Sequence, residues 1–160
     1  MVSVKYLIGH QEINFHIVFD VHMDFQLKSM FVAGGHTTEA PNTITYSSVM
    51  SRDSVCIGFL LEYLHGFYII YIDLENDYLN APCVEKIWFV GGDECGGGKG
   101  CVLIIFCTLY CLISTGFSCR SASVAALREI GLETTFADPN VLIRAALRPD
   151  VYKYYEFILV

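Results

Sequence analysis

Three carboxylates, Asp73, Glu75 and Asp77, recur at every second position after a strongly apolar run. On a continuing strand, residues at i, i+2 and i+4 face the same way, which would gather all three on one side. Carboxylates crowded at the end of a buried strand need a compensating cation, and an oxygen-rich donor set suits Mg²⁺. The alternative is a solvated strand end whose carboxylates face water. A glycine-rich stretch, Gly91 to Gly100, invites a phosphate-loop reading. That motif needs Gly-x-x-x-x-Gly-Lys followed by a hydroxyl residue. Counting back from Gly98-Lys99, Asp93 stands where the first glycine belongs and Gly100 where the hydroxyl belongs, so a plain hairpin loop is expected. His10, His16 and His22 have no Ser or Cys nearby to form a triad and read as isolated, partly buried side chains. The seven cysteines contain no Cys-x-x-Cys pair, so reduced and mostly buried thiols are expected rather than a zinc site.

The elements that must position these residues follow from pattern. Ile13 to Val21 and Phe31 to Gly35 read as strands, with a polar loop from His36 to Ser48. Ser51 or Asp53 caps a helix through Val55, Phe59 and Tyr63, which stops at Gly66. Phe67-Tyr-Ile-Ile-Tyr-Ile72 predicts a buried strand leading to Asp73. Lys86 to Val90 and Val102 to Phe106 flank the glycine loop as a hairpin. A helix is expected from Ser118 to Ile130 with Gly131 past its end, then a turn at Asp138-Pro139-Asn140 and a strand from Tyr154 to Val160.

Composition bounds the function classes. The 160 residues are 54% hydrophobic and 17% charged, with net charge -7. Disorder is excluded, and an acidic balance opposes phosphate binding, which uses Lys and Arg. The N-terminal apolar run is too short for a signal peptide, which points to an intracellular chain. Gly100 to Cys119 carries no charge, so a single membrane span through residues 101–117 is one reading. A buried strand running into a helix is the other.

Asp73-Leu-Glu-Asn-Asp-Tyr78-Leu-Asn-Ala-Pro82 resembles the first catalytic motif of reverse transcriptases from copia-type LTR retrotransposons. The likeness continues in order. Phe19 to Phe25 and Lys28 to His36 resemble fingers strands, followed by Ile44-Thr-Tyr-Ser-Ser48 and Ser51-Arg-Asp-Ser-Val55. Leu109 to Gly116, Ala137-Asp-Pro-Asn-Val141 and Tyr154 to Val160 complete the series. The resemblance implies an α+β chain, a partial right-hand polymerase with an antiparallel sheet backed by helices. Its fingers would span about residues 1–65 and its incomplete palm about 66–160. It implies RNA-directed DNA polymerisation by two-metal nucleotidyl transfer, with Mg²⁺ on Asp73. Lys28, Tyr78 and Ser114 would contact the nucleotide, Tyr78 lying beneath the deoxyribose. Gly116 and Arg120 would contact nucleic acid. The implied partners are an RNA/DNA template-primer and the remainder of a Pol polyprotein, with no membrane.

Departures from the family pattern are specific. Met30 stands where arginine is expected, His22, Cys56 and Ile113 stand where Lys or Arg is usual, and Cys111 replaces a glycine. Asp77 replaces a small residue beside the triphosphate, where its charge would repel the substrate. The family's Tyr-Val-Asp-Asp motif does not occur in the 160 residues, so a truncated fragment, inactive alone, is expected. The alternatives are a small single-span membrane protein or a non-catalytic interaction fragment.

Overall fold

The computed structural model describes residues 7–21, 23, 25–74, 76–147, 149 and 153–160. The fold is mixed α+β. The chain forms two compact units interleaved along the sequence, the first running to Tyr46 and resuming at Asn76–Cys119, the second taking Ser47–Glu75 and Arg120–Val160.

In the first unit, β1 (Gln11–Glu12) lies parallel to β4 (Ile87–Val90), and β4 pairs antiparallel with β5 (Val102–Ile104). Trp88 faces Ile104 and Val90 faces Val102, as the hairpin reading requires. The glycine loop between them forms 3-10 turns over Asp93–Gly98. Lys99 pairs with Asp93, the residue that breaks the phosphate-loop pattern. A separate hairpin joins β2 (Phe15–Val21) to β3 (Leu27–Ala33), so the second strand starts four residues before the expected Phe31. Ile13, Ala33, Ile87 and Leu112 form this unit's core. Gly35 sits where a side chain cannot. A Cβ there would lie 2.2 Å from the Cys111 carbonyl oxygen, a backbone atom with no rotamer to move.

In the second unit, helix α1 (Arg52–His65) begins at Ser51, whose Oγ accepts from the Ser54 N–H at 3.1 Å. It ends at Gly66, left-handed at φ 63°, as its sequence pattern predicts. A one-turn helix α2 (Asp77–Asn80) belongs to the first unit, and the last helix, α3 (Thr115–Glu129), begins in it. The end of α3 is fastened by a pair of bonds: Leu132 N–H donates to Leu127 O, and Gly131 N–H to Arg128 O. Strands β6 (Glu133–Thr134), β7 (Val141–Leu147) and β8 (Lys153–Leu159) make an antiparallel sheet. Val124, Leu132 and Leu142 form its core.

Several expectations need correction. Phe67 to Ile72 is neither strand nor buried; from Tyr68 onward the run is irregular and exposed. Strand propensity is realised only against a partner, and among the described residues no strand pairs with this run. Conversely, β7 arises from Val-Leu-Ile-Arg-Ala-Ala-Leu, a weak strand sequence aligned by seven paired positions with β8. Among the described residues the strands form three sheets, one containing a parallel pair, instead of a single antiparallel sheet. The thiols are not mostly buried: Cys56, Cys101, Cys107 and Cys111 are exposed, and Cys119 is buried. Residues 101–117 divide among β5, an irregular connection and the start of α3. Among the described residues no helix is long and apolar enough to cross a membrane.

Candidate functional site

The first unit assembles its polar groups around the segment after Asn76. Asn76 adopts a left-handed conformation, φ 54°, and turns the chain into α2. Leu79 N–H returns to Asn76 O at 2.8 Å. The segment then docks against the 106–110 connection: Thr108 N–H donates to Ala81 O at 2.9 Å, Cys83 N–H to Phe106 O at 2.8 Å. Thr108 Oγ1 donates to the Tyr78 carbonyl, and Ala81 and Thr108 are fully buried. This fastening leaves the Tyr78 ring partly exposed, edge-on to Tyr110 with centroids 5.0 Å apart. Asp77 is engaged, its Oδ2 accepting from the buried Cys119 thiol.

Ser114 is fully buried and held from both its backbone and its side chain. Its N–H donates to Glu85 Oε1 at 2.9 Å and its Oγ to Glu85 Oε2 at 2.5 Å. Glu85, itself 5% exposed, therefore caps the start of α3 from a distant part of the chain. Cys83 lies alongside, its Sγ 3.3 Å from the Glu85 carbonyl. Burial pushes the Cys83 thiol up to about 12, helped by the Glu85 charge. Such a thiol carries almost no thiolate near neutral pH and is a poor nucleophile or metal ligand. Gly116 is exposed in the first turn of α3. Lys28 lies on β3 directly opposite Asp20 of β2.

Asp73 and Arg120 belong to the second unit. Asp73 is exposed on irregular backbone, because the strand expected to present it does not form. Arg120 is committed to the chain itself, its Nε donating to Asn140 Oδ1 at 2.5 Å and its Nη2 to Pro139 O at 3.0 Å. That turn is the unit's polar hub. Asp138 accepts from Ser54 Oγ at 2.6 Å, Ser51 N–H at 2.9 Å and Asn140 N–H at 3.0 Å. These donors, Ser54 first, hold its carboxyl well below the usual carboxylate range. Asn140 reaches on to Ser48, 3.1 Å from its Nδ2.

Of the six candidate residues, Tyr78 and Ser114 are fixed by this one polar framework, through Thr108 and Glu85. The strand expected to align the carboxylate series does not form. Asp77 starts a helix, Glu75 lies outside the described residues, and among those described no three His, Cys, Asp or Glu could hold a metal ion. No metal set therefore forms around Asp73 among the described residues, of which Glu75 is not one. His22 also lies outside the described residues. Sequence reasoning passed over Glu85, and saw in Asp138-Pro139-Asn140 a turn and part of the family-like series, with no polar hub. A lone acid inside the apolar run Cys83-Val-Glu-Lys-Ile-Trp-Phe89 was the available signal for the first. Both clusters are saturated by internal partners, so they can hold backbone in place but offer no free base beside a nucleophile. The chain matches no protein-family profile, no curated protein and no solved structure.

Proposed function

We propose that these 160 residues derive from the fingers and palm of a copia-type retrotransposon reverse transcriptase and do not transfer nucleotides on their own. The observation that carries the reading is the ordered series of family-like segments from Phe19 through Asp73–Pro82 to Val160. The turn that leaves the Tyr78 ring partly exposed supports a nucleotide-facing past for that residue. Inactivity is supported by several local facts. Asp73 has no partner donors within reach among the described residues to form a metal set. Ser114 is sealed by Glu85, Arg120 is spent on the 139–140 turn, and Met30 replaces the expected arginine. Template-primer and the remainder of a Pol polyprotein are the partners this ancestry implies.

Primer extension tests the activity claim, using the 160-residue chain with Mg²⁺ or Mn²⁺ on an RNA template. No product is expected from either the wild type or Asp73→Asn, and extension that Asp73→Asn abolishes overturns inactivity. The ancestry is tested by reading the DNA after codon 160 in all three frames. Codons for Tyr-Val-Asp-Asp are expected in one of them, and their absence from all three overturns the ancestry.

A further inference from the structure

The glycine loop of the first unit holds two of the seven thiols, Cys95 in its 3-10 turns and Cys101 where the chain enters β5. The β4–β5 ladder runs one step past Val90 and Val102. Gly91 N–H donates to Cys101 O at 2.9 Å, and Gly100 N–H donates to Gly91 O at 2.7 Å. With Gly100 left-handed at φ 71°, two residues of one strand oppose one of the other, a G1 bulge. Cys101 therefore stands opposite Gly91, and residues paired in this way share a face. Leu103, two positions on, lies on that face as well. Two distances set Cys95 over the same face. Its Cβ lies 3.2 Å from the point a Cβ would take at Gly91. It also lies 3.6 Å from the corresponding point at Gly98, which Leu103 Cδ1 approaches to 3.6 Å. Neither glycine fills that space with a side chain of its own.

We propose that Cys95 and Cys101 form a redox-active dithiol, which a small-molecule disulfide such as oxidised glutathione closes into a disulfide across the loop. Reach favours this pair. Opposed Cβ atoms on paired strands lie about 4.5–5.5 Å apart, so Cys95 Cβ starts within about 9 Å of Cys101 Cβ. A disulfide needs about 3.5–4.5 Å between Cβ atoms, so the loop must close by at most about 5 Å. Gly96, Gly97, Gly98 and Gly100 supply all but one of the intervening residues, and their backbones rearrange freely. The Lys99–Asp93 ion pair inside the loop is exposed at both ends and resists the closure little. The other thiols are placed elsewhere. Cys83 and Cys119 are engaged by Glu85 and Asp77, Cys107 pairs opposite Pro82, Cys111 abuts Gly35, and Cys56 belongs to the second unit. Cys101 is exposed and makes the first attack, while Cys95 is half-buried. The Cys101 thiolate takes one sulfur of the small disulfide, breaking its S–S bond, and one small thiol leaves with the proton Cys101 gave up. The Cys95 thiolate then attacks the Cys101 sulfur, forming the loop disulfide and releasing the second small thiol with the Cys95 proton. The protein loses two electrons and the small disulfide gains them. The polymerase ancestry is not a premise, and primer extension and loop oxidation fail independently.

Oxidised glutathione added to the reduced 160-residue chain at mildly alkaline pH tests the pairing, followed by acid quench, alkylation of the remaining thiols, trypsin and mass spectrometry. Cleavage after Lys99 separates the two cysteines, so the link is expected as peptides 87–99 and 100–120 joined until reduction, with fragmentation placing it on Cys101. Cys101→Ser should leave no joined pair, at unchanged far-UV dichroism, and Cys95 should then carry glutathione or the alkylating group. Cys107→Ser should leave the joined pair intact. Because the fold holds the two thiols on one face, their effective concentration in native buffer should exceed that in urea by about tenfold. A chain that stays unlinked overturns the proposal, as does a link from Cys95 to Cys107, Cys111 or Cys119, or a joined pair that survives Cys101→Ser. So does a link found only between two copies, at twice the mass of the chain. An effective concentration in native buffer equal to or below that in urea also overturns it, since the fold would then contribute nothing to the pairing.

Discussion

Removing the Glu85 carboxylate should unfasten the start of α3, and the cost can be built from the geometry. Glu85 is 5% exposed and Ser114 is fully buried, so water cannot replace either bond without entering the unit. In Glu85→Ala the Ser114 N–H and Oγ–H both lose their acceptor. A buried donor left unpaired costs about 1–3 kcal/mol, which for two donors is about 2–6 kcal/mol. Relief from burying a carboxylate offsets part of this, leaving about 3 kcal/mol. Glu85→Gln is the discriminating variant. Its carbonyl oxygen still accepts from the Ser114 N–H, and its amide can donate to the Ser114 hydroxyl. Charge assistance is lost and the Ser114 hydroxyl proton must find another acceptor, together about 1–2 kcal/mol. Ser114→Ala removes one of the two bonds and should fall between them. Trp88, the single tryptophan, lies on β4 in the same unit and reports urea unfolding through its fluorescence. The reasoning is refuted if Glu85→Ala and Glu85→Gln cost the same, or if neither moves the urea midpoint. Additivity of Glu85→Ala and Ser114→Ala would be equally damaging, because groups sharing a bond must couple.

The Asp138 hub gives the second unit a pH dependence with a definite sign. The carboxyl is held below its unfolded value, so its stabilising contribution is present above about pH 4 and fades as the pH falls through the folded value. Asp138→Asn should flatten this acid limb in urea unfolding followed by far-UV dichroism; an unchanged limb would show that other groups carry it. Thiol reactivity offers a further check. With Cys83 pushed up to about 12, iodoacetamide at mildly alkaline pH should modify Cys56, Cys101, Cys107 and Cys111 well before Cys83. Mass spectrometry showing Cys83 among the first labelled would remove the buried Glu85-side environment described for it.

Features closed by short-range bonds were readable along the chain. Ser51 and Gly66 bound α1, and Gly131 follows α3, because a cap needs only residues within one turn of it. The hairpin around the glycine loop was readable for a similar reason, its two apolar strands being joined by residues with little alternative. The failures share a different cause. Phe67 to Ile72 has stronger strand propensity than Val141 to Leu147, yet only the second forms a strand, because β8 lies beside it. The candidate site split the same way. Asp73 was found by its motif and spacing, whereas its exposure depends on a strand that did not form. Ser114 was found by resemblance, whereas its burial depends on Glu85, 29 positions away.

By itself the sequence determined where α1 begins and ends and where α3 stops, that the charge balance is acidic, and the ordered series that suggests polymerase ancestry. Only the tertiary structure decided which carboxylates are engaged, which thiols are hidden, and that the run expected to carry Asp73 stands unpaired. The physical reason is that caps and turns satisfy backbone groups within a few residues. Burial and strand pairing instead need a surface supplied from elsewhere in the chain, and no local pattern states whether that surface is present.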